Sequence, residues 1–277
     1  MKIVAIGLSH NEADVVRECV KDALSWVDAF ILYDNSTDGT DTLAREAGAM
    51  VLRGPVDEIF DEGLRQYALT AAAALDPDWI VRIDPDEFYP RGISVTGYRP
   101  QDPRAILENY DKTGVMATRA QVVQFWITFD DLRRGLLLED ETVSVQKRRR
   151  WYSFGHTAIV AWKHNLVLAY KYGSKKNIPF YPDGQDVGKD ARGALLIQTH
   201  YTCRSLPQLV ARVADRKKNG GSFGKYKHNL IIDETVVGLG YWNDGEPIIP
   251  YQNHDFVYKW FEISTRLYAE RAAGWNL

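Results

Sequence analysis

The chain has 277 residues, 45% hydrophobic and 26% charged, with a mean hydropathy of -0.33 and a formal charge of -3. That length admits one large core or a core with an appendage, and the near-balanced charge gives no global pull toward nucleic acid or an anionic membrane. Its two cysteines, Cys19 and Cys203, make neither a disulfide framework nor a zinc pattern.

"KIVAIGL" (residues 2–8) reads as a buried strand. The flanking "MKIVAIGLSHNE" lacks a signal-peptide body, and no apolar run approaches the roughly 20 residues of a bilayer-spanning helix. The expectation is a cytoplasmic protein with no membrane span. After the strand, Val15, Val16, Cys19, Val20, Ala23 and Leu24 recur at helical spacing, with Asn11 placed as the N-cap. "AFILYD" (29–34) is a second strand, "STDGT" a turn into a helix through Ala47, Gly48 its stop, and "AMVLR" a third strand. "DEGLRQYALTAAAAL" (61–75) is helical by propensity, Asp76 and Pro77 end it, and "DWIVRID" supplies a fourth strand.

This β-α-β-α-β-α-β order predicts an α/β fold, a mostly parallel sheet with helices on both faces. Ligands of such sheets sit at the carboxyl ends of the strands. Here those ends carry "SHNE", "DNSTDGT" and "DPDE", all polar and acidic. Beyond about residue 100 the pattern changes to alternating and aromatic runs, "MATRAQVVQFWITF" and "TAIVAWKHNLVLAY", which suggest longer, partly antiparallel strands and irregular loops. "SLPQLVARVADRKKNG" (205–220) and "FVYKWFEISTRLYAER" read as helices. The expectation is one compact domain, with residues 1–100 as its βα core and 101–277 as a specialised second half.

The acids Asp84, Asp86 and Glu87 crowd the end of the fourth strand, where like charges repel and desolvation is expensive. Pro85 biases Asp84 toward an extended conformation, so Asp84 and Asp86 can serve different ligands just past the strand. Hard divalent ions prefer such oxygens and are shared between one or two carboxylates and substrate phosphates. A solvated polar turn is the bland alternative, and position after the fourth strand favours function over it.

"AIGLSHNEADVVRECVKDALSWVD", "ILYDNSTDGT", "LRQYAL" and "DWIVRIDPDEF", in this order, resemble a family 2 glycosyltransferase with the GT-A, Rossmann-like fold. "IQTHYTCRSLPQLVARVADR" resembles a later element of a subset of these enzymes. The resemblance implies that Asn11 and Glu12 meet a base or ribose and that Asp34 hydrogen-bonds the base. It also implies that Arg65 and Asp84 lie at the nucleotide, and that Asp86, with Asp84 beside it and His200 completing the metal site, holds Mn²⁺ or Mg²⁺ against the donor diphosphate. Residues 1–100 are then the nucleotide-sugar-binding core, and 101–277 the acceptor-side and closing region. Taken alone, Asn11 reads as an ordinary helix cap, Arg65 as a helix surface charge and His200 as a structural histidine. "YDNSTDGT" is one residue shorter than the commonest family spelling.

The implied activity is metal-dependent inverting transfer of a hexose from a nucleotide-diphosphate sugar to a hydroxyl acceptor such as a glycan, a lipid-linked saccharide or a small molecule. UDP leads among donors on family frequency. A carboxylate must take the acceptor proton. Asp130, Asp131, Glu139, Asp140 and Glu141 are available in the middle region, of which Asp131 and Asp140 are named as candidates. Basic stretches such as "QKRRRW" are solvated faces or phosphate contacts, and "NGGSFGKY" is a candidate lid. A sugar nucleotidyltransferase would want a Gly-rich basic loop after the first strand, which "GLSHNEAD" is not, and no dinucleotide G-x-G-x-x-G follows that strand. A non-catalytic binding module and a nucleic-acid-modifying enzyme are the remaining alternatives, the latter disfavoured by scattered cations on a net acidic chain.

Overall fold

The computed structural model describes residues 1–55, 62–91, 102–128, 131, 142–166, 168–171, 178–202, 204–205, 207–208, 231–232 and 240–241. The chain forms two compact units. One comprises Met1–Gly92, Pro100–Val122 and His156–Thr199, the other Ile93–Arg99, Val123–Gly155 and His200–Leu277.

In the first unit, β1 (Ile3–Ser9) is buried along its whole length. A strand enclosed on both faces has no solvent side to keep polar, which is why this stretch shows a continuous apolar run and no alternation. β1 pairs in parallel with β2 (Ala29–Asp34), from Val4 opposite Ala29 to Ser9 opposite Asp34. On its other side β1 pairs in parallel with β4 (Trp79–Arg82), from Ile3 opposite Trp79 to Ile6 opposite Arg82. β3 (Met50–Arg53) continues the parallel set beyond β2. The carboxyl ends of β1, β2 and β4 are therefore neighbours at one edge. Next to β4 the direction reverses, since β7 (Trp151–Lys163) runs antiparallel to it, with Trp79 opposite Lys163.

With β5 (Glu87–Phe88), β6 (Ala117–Thr128) and β8 (Ala191–His200), the strand order is β3-β2-β1-β4-β7-β6-β8-β5. The fold is mixed α/β of the Rossmann-like GT-A type, with a mostly parallel central sheet. The expected antiparallel component appears at β7, which enters the second aromatic run as far as Lys163, while β6 covers nearly all of the first.

Three helices cover the parallel strands: α1 (Val16–Leu24), α2 (Thr40–Glu46) and α3 (Arg65–Ala73). α3 buries Ala68, Leu69 and Ala72 against Val4, Ile6, Leu8, Ile31, Tyr33 and Ile80, the residues that strand alternation places on one face. α1 and α2 pack against each other and against β2, and none of their residues joins that cluster. Gly7 lies on the Phe30 and Leu32 side of β1, where a Cβ would meet the Ile83 carbonyl oxygen at 2.5 Å and the Leu32 side chain at 2.9 Å. α2 stops as expected, with Gly48 at φ 108° beyond its C-cap Ala47.

Asn11 is not the N-cap of α1: Val15 holds that position with no side-chain cap, and Asn11 sits in the left-handed region at φ 57°. Asn tolerates that conformation better than most residues, and its amide oxygen is committed elsewhere. The sequence reading also missed α4 (Pro103–Lys112), although its start carries the ordinary signals. Asp102 accepts hydrogen bonds from the Arg104 and Ala105 N–H groups, and Pro103 opens the first turn.

In the second unit, α5 (Val145–Arg148) follows the Ser144 N-cap, β9 (Ile231–Ile232) pairs in parallel with the end of β6, and β10 (Gly240–Tyr241) pairs antiparallel with the start of β7. Phe125 stacks on Tyr201 at 4.6 Å between ring centres, and the Trp126 indole donates to the Ser153 hydroxyl. Arg148 and Arg149 both donate to the Arg204 carbonyl. The C-terminal helix and the candidate lid at 219–226 lie outside the described residues, as does nearly all of the helix expected over 205–220.

Gly7→Ala is expected to destabilise the fold by about 2–3 kcal/mol, because the close β1 to Ile83 approach leaves no room for a methyl group. Chemical denaturation of the two chains measures it, and an unchanged midpoint would contradict the register given for β1 and β4.

Candidate functional site

Two loops meet at the carboxyl ends of β1 and β2. Asp34 closes β2 and is fully buried, 0% exposed. One of its oxygens accepts from the hydroxyls of Ser9 (2.7 Å) and Ser36, the other from the Arg53 guanidinium, which also reaches the Ser36 carbonyl. A buried carboxylate is tolerable only with such partners. Asp34, expected to meet a base, thus has both oxygens engaged within the protein.

Asn11 ties the two loops together. Its amide oxygen accepts the Thr37 N–H at 2.9 Å, and its own N–H donates to the Ser36 hydroxyl at 2.7 Å. The Glu12 N–H donates to the Thr40 hydroxyl and the Ala13 N–H to Asp38, while the Glu12 carbonyl receives the N–H groups of Val15 and Val16. His10 bridges Asn35 and Asn11 through its two ring nitrogens, at 2.9 and 3.2 Å. The Asn11 side chain is at the surface.

The acids after β4 are organised by two buried arginines. Arg65, the first residue of α3, is 1% exposed and grips Asp84 with both guanidinium nitrogens, each 2.7 Å from a carboxylate oxygen. The surface position that helix propensity allowed it is thereby corrected: Asp84, 19 residues along the chain, draws the side chain inward. Arg82, the last residue of β4, lies 3.5 Å from Asp84 and 3.3 Å from Glu87. Burial works against the Arg82 charge, yet Glu87 and next Asp84 outweigh it and hold its pKa above the usual arginine value.

Glu87 folds back on the turn, accepting the Asp84 N–H at 3.1 Å, while its own N–H donates to the Asp84 carbonyl at 2.9 Å. From β8, Gln198 donates to Glu87 and to the Tyr89 hydroxyl, both at 2.9 Å. Asp86 lies within this closed turn, 5% exposed. Sequence reasoning missed Arg53, Arg82, Tyr89 and Gln198. The lone arginine inside the apolar "WIVRID" was a signal that could have found Arg82.

α1 supports the turn from beneath. The Cys19 thiol lies 3.5 Å from both the Asp84 and the Glu87 carbonyl oxygens. Burial above all, then the Asp22 carboxylate, pushes its pKa well above the ordinary thiol value, so it is a neutral donor. Burial likewise pushes the Asp22 carboxyl up to about 6, against the opposing pull of Arg91 at 3.9 Å and the Tyr89 N–H, and with a further push from Glu18.

The structure brings Asn11, Glu12 and Asp34 together at one rim, and Arg65, Asp84 and Asp86 at the adjoining strand end. His200 closes β8 in the second unit. Asp131 is 2% exposed, and its carboxylate accepts the Thr128 N–H at 2.9 Å. Asp140 lies outside the described residues. Among the described residues, no group of three or more His, Cys, Asp or Glu side chains is placed to cage a metal. With Asp84 and Glu87 engaged by arginines, the donor set fits a hard cation held chiefly by phosphate oxygens, with one protein carboxylate, rather than a cation enclosed by protein.

No protein-family model matches the chain, and no curated protein matches it. Among solved structures it is similar to mannosyl-3-phosphoglycerate synthase from Rubrobacter xylanophilus, with 16% identity, a TM-score of 0.33 and 61% of this chain over 56% of that one. It is similar at 18% identity and a TM-score of 0.32 to glucosyl-3-phosphoglycerate synthase from Mycobacterium tuberculosis in complex with phosphoglyceric acid, 60% of this chain over 58% of that one. A CMP:2-keto-3-deoxy-manno-octonic acid synthetase complexed with CTP matches at 10% identity and a TM-score of 0.33, with 60% of this chain over 75% of that one. The chain spans little more than half the length of the first two. Likenesses this distant bear no weight on family or activity, and the fold rests on the strand order and directions given above.

Two outcomes test this description. Arg65→Met should cost about 3 kcal/mol, because it leaves the Asp84 carboxylate facing Arg82 alone at 3.5 Å; a melt within one degree of the parent would contradict the pairing. For Asp22, the group is protonated in both folded and unfolded states below its ordinary value of 3.8. Between about 4 and 6 the folded chain keeps a proton that the unfolded chain has released, so stability falls as pH rises through that window and levels off above it. Asp22→Asn should therefore add up to roughly 3 kcal/mol at pH 7.5 and almost nothing at pH 3.5, measured by denaturant titration at both pH values.

Proposed function

We propose that this protein is a metal-dependent inverting glycosyltransferase that takes a hexose from a nucleotide-diphosphate sugar, UDP first among donors, and gives it to a hydroxyl acceptor. The observation that carries the reading is the adjacency of three parallel strand ends. The rim at β1 and β2 joins the acid turn at β4, where ligands of open α/β sheets bind.

In this reading Asn11 and Glu12 meet the base or ribose. Asp34 acts through the Ser36 and Asn11 loops that it orders. Arg65 grips both Asp84 oxygens and holds that carboxylate oriented toward the nucleotide. Asp86, with His200 as a second ligand, holds Mn²⁺ or Mg²⁺. The cation supplies Lewis acidity that offsets charge on the departing diphosphate. Asp131 or Asp140 takes the acceptor's proton as its oxygen attacks the anomeric carbon. What supports a metal is the chemistry of the turn. Among the described residues its carboxylates exceed its buried guanidiniums, an unfavourable surface for a bare diphosphate and a favourable one for a diphosphate that brings a cation.

Calorimetric titration of UDP, with and without Mn²⁺, on the parent chain and on Asp86→Asn tests the proposal. Metal should tighten UDP binding to the parent, and the substitution should remove about 100-fold of that affinity, or ~2.7 kcal/mol. Metal-independent binding, or binding indifferent to Asp86, would sink the metal assignment. Absence of binding to UDP, GDP and dTDP alike would sink the donor reading. Turnover of CTP with a sugar acid instead would identify a nucleotidyltransferase.

A further inference from the structure

The two donor hydrogens of the Gln198 amide are both spent on the acid turn, one on Glu87 and one on the Tyr89 hydroxyl. The orientation of that amide is fixed by chemistry, because the Glu87 carboxylate can only accept, so the nitrogen must face it. Its carbonyl oxygen is left buried with no partner. A methionine of similar size would fill the same fully buried space without stranding an acceptor, so packing alone gives no reason for glutamine here. What glutamine adds is direction.

Glu87 is held from two further sides, by Arg82 at 3.3 Å and by the Asp84 N–H at 3.1 Å. Through that N–H, and through its own N–H on the Asp84 carbonyl, it closes the four-residue turn that carries Asp86. The Tyr89 hydroxyl donates its proton to the Arg82 carbonyl, which ties the far side of the turn to the end of β4. β8 adds a second tie, since the Thr199 hydroxyl donates to the Phe88 carbonyl.

We propose that Gln198 is a positioning residue for the donor site: by fixing Glu87, and through it the Asp84 amide, it sets the direction in which Asp86 presents its carboxylate. This rests on the donor reading above. Gln198 touches neither nucleotide nor metal and acts only through Glu87.

Two measurements on the parent and on Gln198→Met test it together: amide hydrogen exchange over the peptide that spans Asp84 to Tyr89, and UDP titration with and without Mn²⁺. The expected result is faster exchange in that peptide. The Mn²⁺-dependent part of the UDP affinity should fall about tenfold, as losses of groups that orient a metal ligand do, while metal-free UDP affinity stays at the parent value. A brace that served stability alone would weaken both affinities equally or neither. Tyr89→Phe removes the other partner but spares the Glu87 contact, so it should leave the Mn²⁺-dependent part closer to the parent than Gln198→Met does. Should the methionine chain fail to fold, Gln198→Asn, shorter by one methylene, takes its place.

Unchanged exchange, or parent-like Mn²⁺ dependence in a folded variant, overturns the inference while the donor reading stands. A parent chain that binds no nucleotide, with exchange still faster in the variant, voids the donor reading. Gln198 is then a structural brace and the positioning role is overturned with it.

Discussion

The end of β4 carries Asp84, Asp86 and Glu87 within four residues, and what makes that arrangement tolerable is the pair of buried guanidiniums facing it. Arg65 and Arg82 come from different elements and are each nearly sealed from water. Neither the acids nor the arginines could occupy this place alone, because an uncompensated buried charge costs several kcal/mol. The demand propagates outward. α3 must present Arg65 at its first turn toward β4, which fixes the rotation of the helix and places Ala68, Leu69 and Ala72 against the sheet. β4 must end on Arg82 with its side chain inward, and β8 must bring a neutral donor to Glu87. Buried ion pairs of this kind add little net stability over apolar packing. Their contribution here is to specify one geometry for the turn.

The rim at β1 and β2 solves a milder version of the same problem with fewer charges. Asp34 is its one fully buried acid among the described residues, and two hydroxyls and one arginine satisfy it. Further ties run from side chain to backbone, Asn11 to Thr37, Thr40 to Glu12 and Asp38 to Ala13, and His10 links the Asn35 and Asn11 side chains. Such ties give exposed loops defined positions without a buried core of their own, so the polar groups of Asn11 and Glu12 are held at the edge rather than left to sample it. α1 runs from this rim to beneath the acid turn, where Cys19 faces the Asp84 and Glu87 carbonyls. The two halves of the candidate site are thus coupled through one helix as well as through β1.

What could be read in advance followed the physics of each segment. β1, β2 and β4 were legible because strands buried on both faces become uninterrupted apolar runs, and the glycine after α2 because its positive φ suits few other residues. Asn11 was misplaced because the same residue type serves a helix cap and a left-handed turn, and only the Ser36 and Thr37 loop decides between them. Arg65 shows the limit most clearly. Helix propensity is indifferent to which face an arginine occupies, and the acid that buries it is visible only once α3 lies over the sheet. Gln198 carried no signal at all, since its partners lie 111 and 109 residues away. α4 was overlooked despite Asp102 and Pro103, whose meaning depends on a helical pattern that the surrounding irregular sequence does not announce.

The balance of charge at the turn bears on the chemistry that the proposed reading requires. Among the described residues, two guanidiniums are set against three carboxylates at the turn, an excess of negative charge in surroundings less polar than water, where such an excess is felt more strongly. A diphosphate approaching alone would be repelled. One that arrives with a divalent cation reverses the sign of the encounter, and the cation then needs only a single well-aimed carboxylate, because the phosphates fill most of its coordination. Direction at Asp86 matters more in such a site than the number of acids nearby. Asp84 and Glu87, whose charges the arginines already engage, serve that direction too, because together with Arg65 and Arg82 they order a crowd of like charges into the one placed carboxylate that the proposed reading requires.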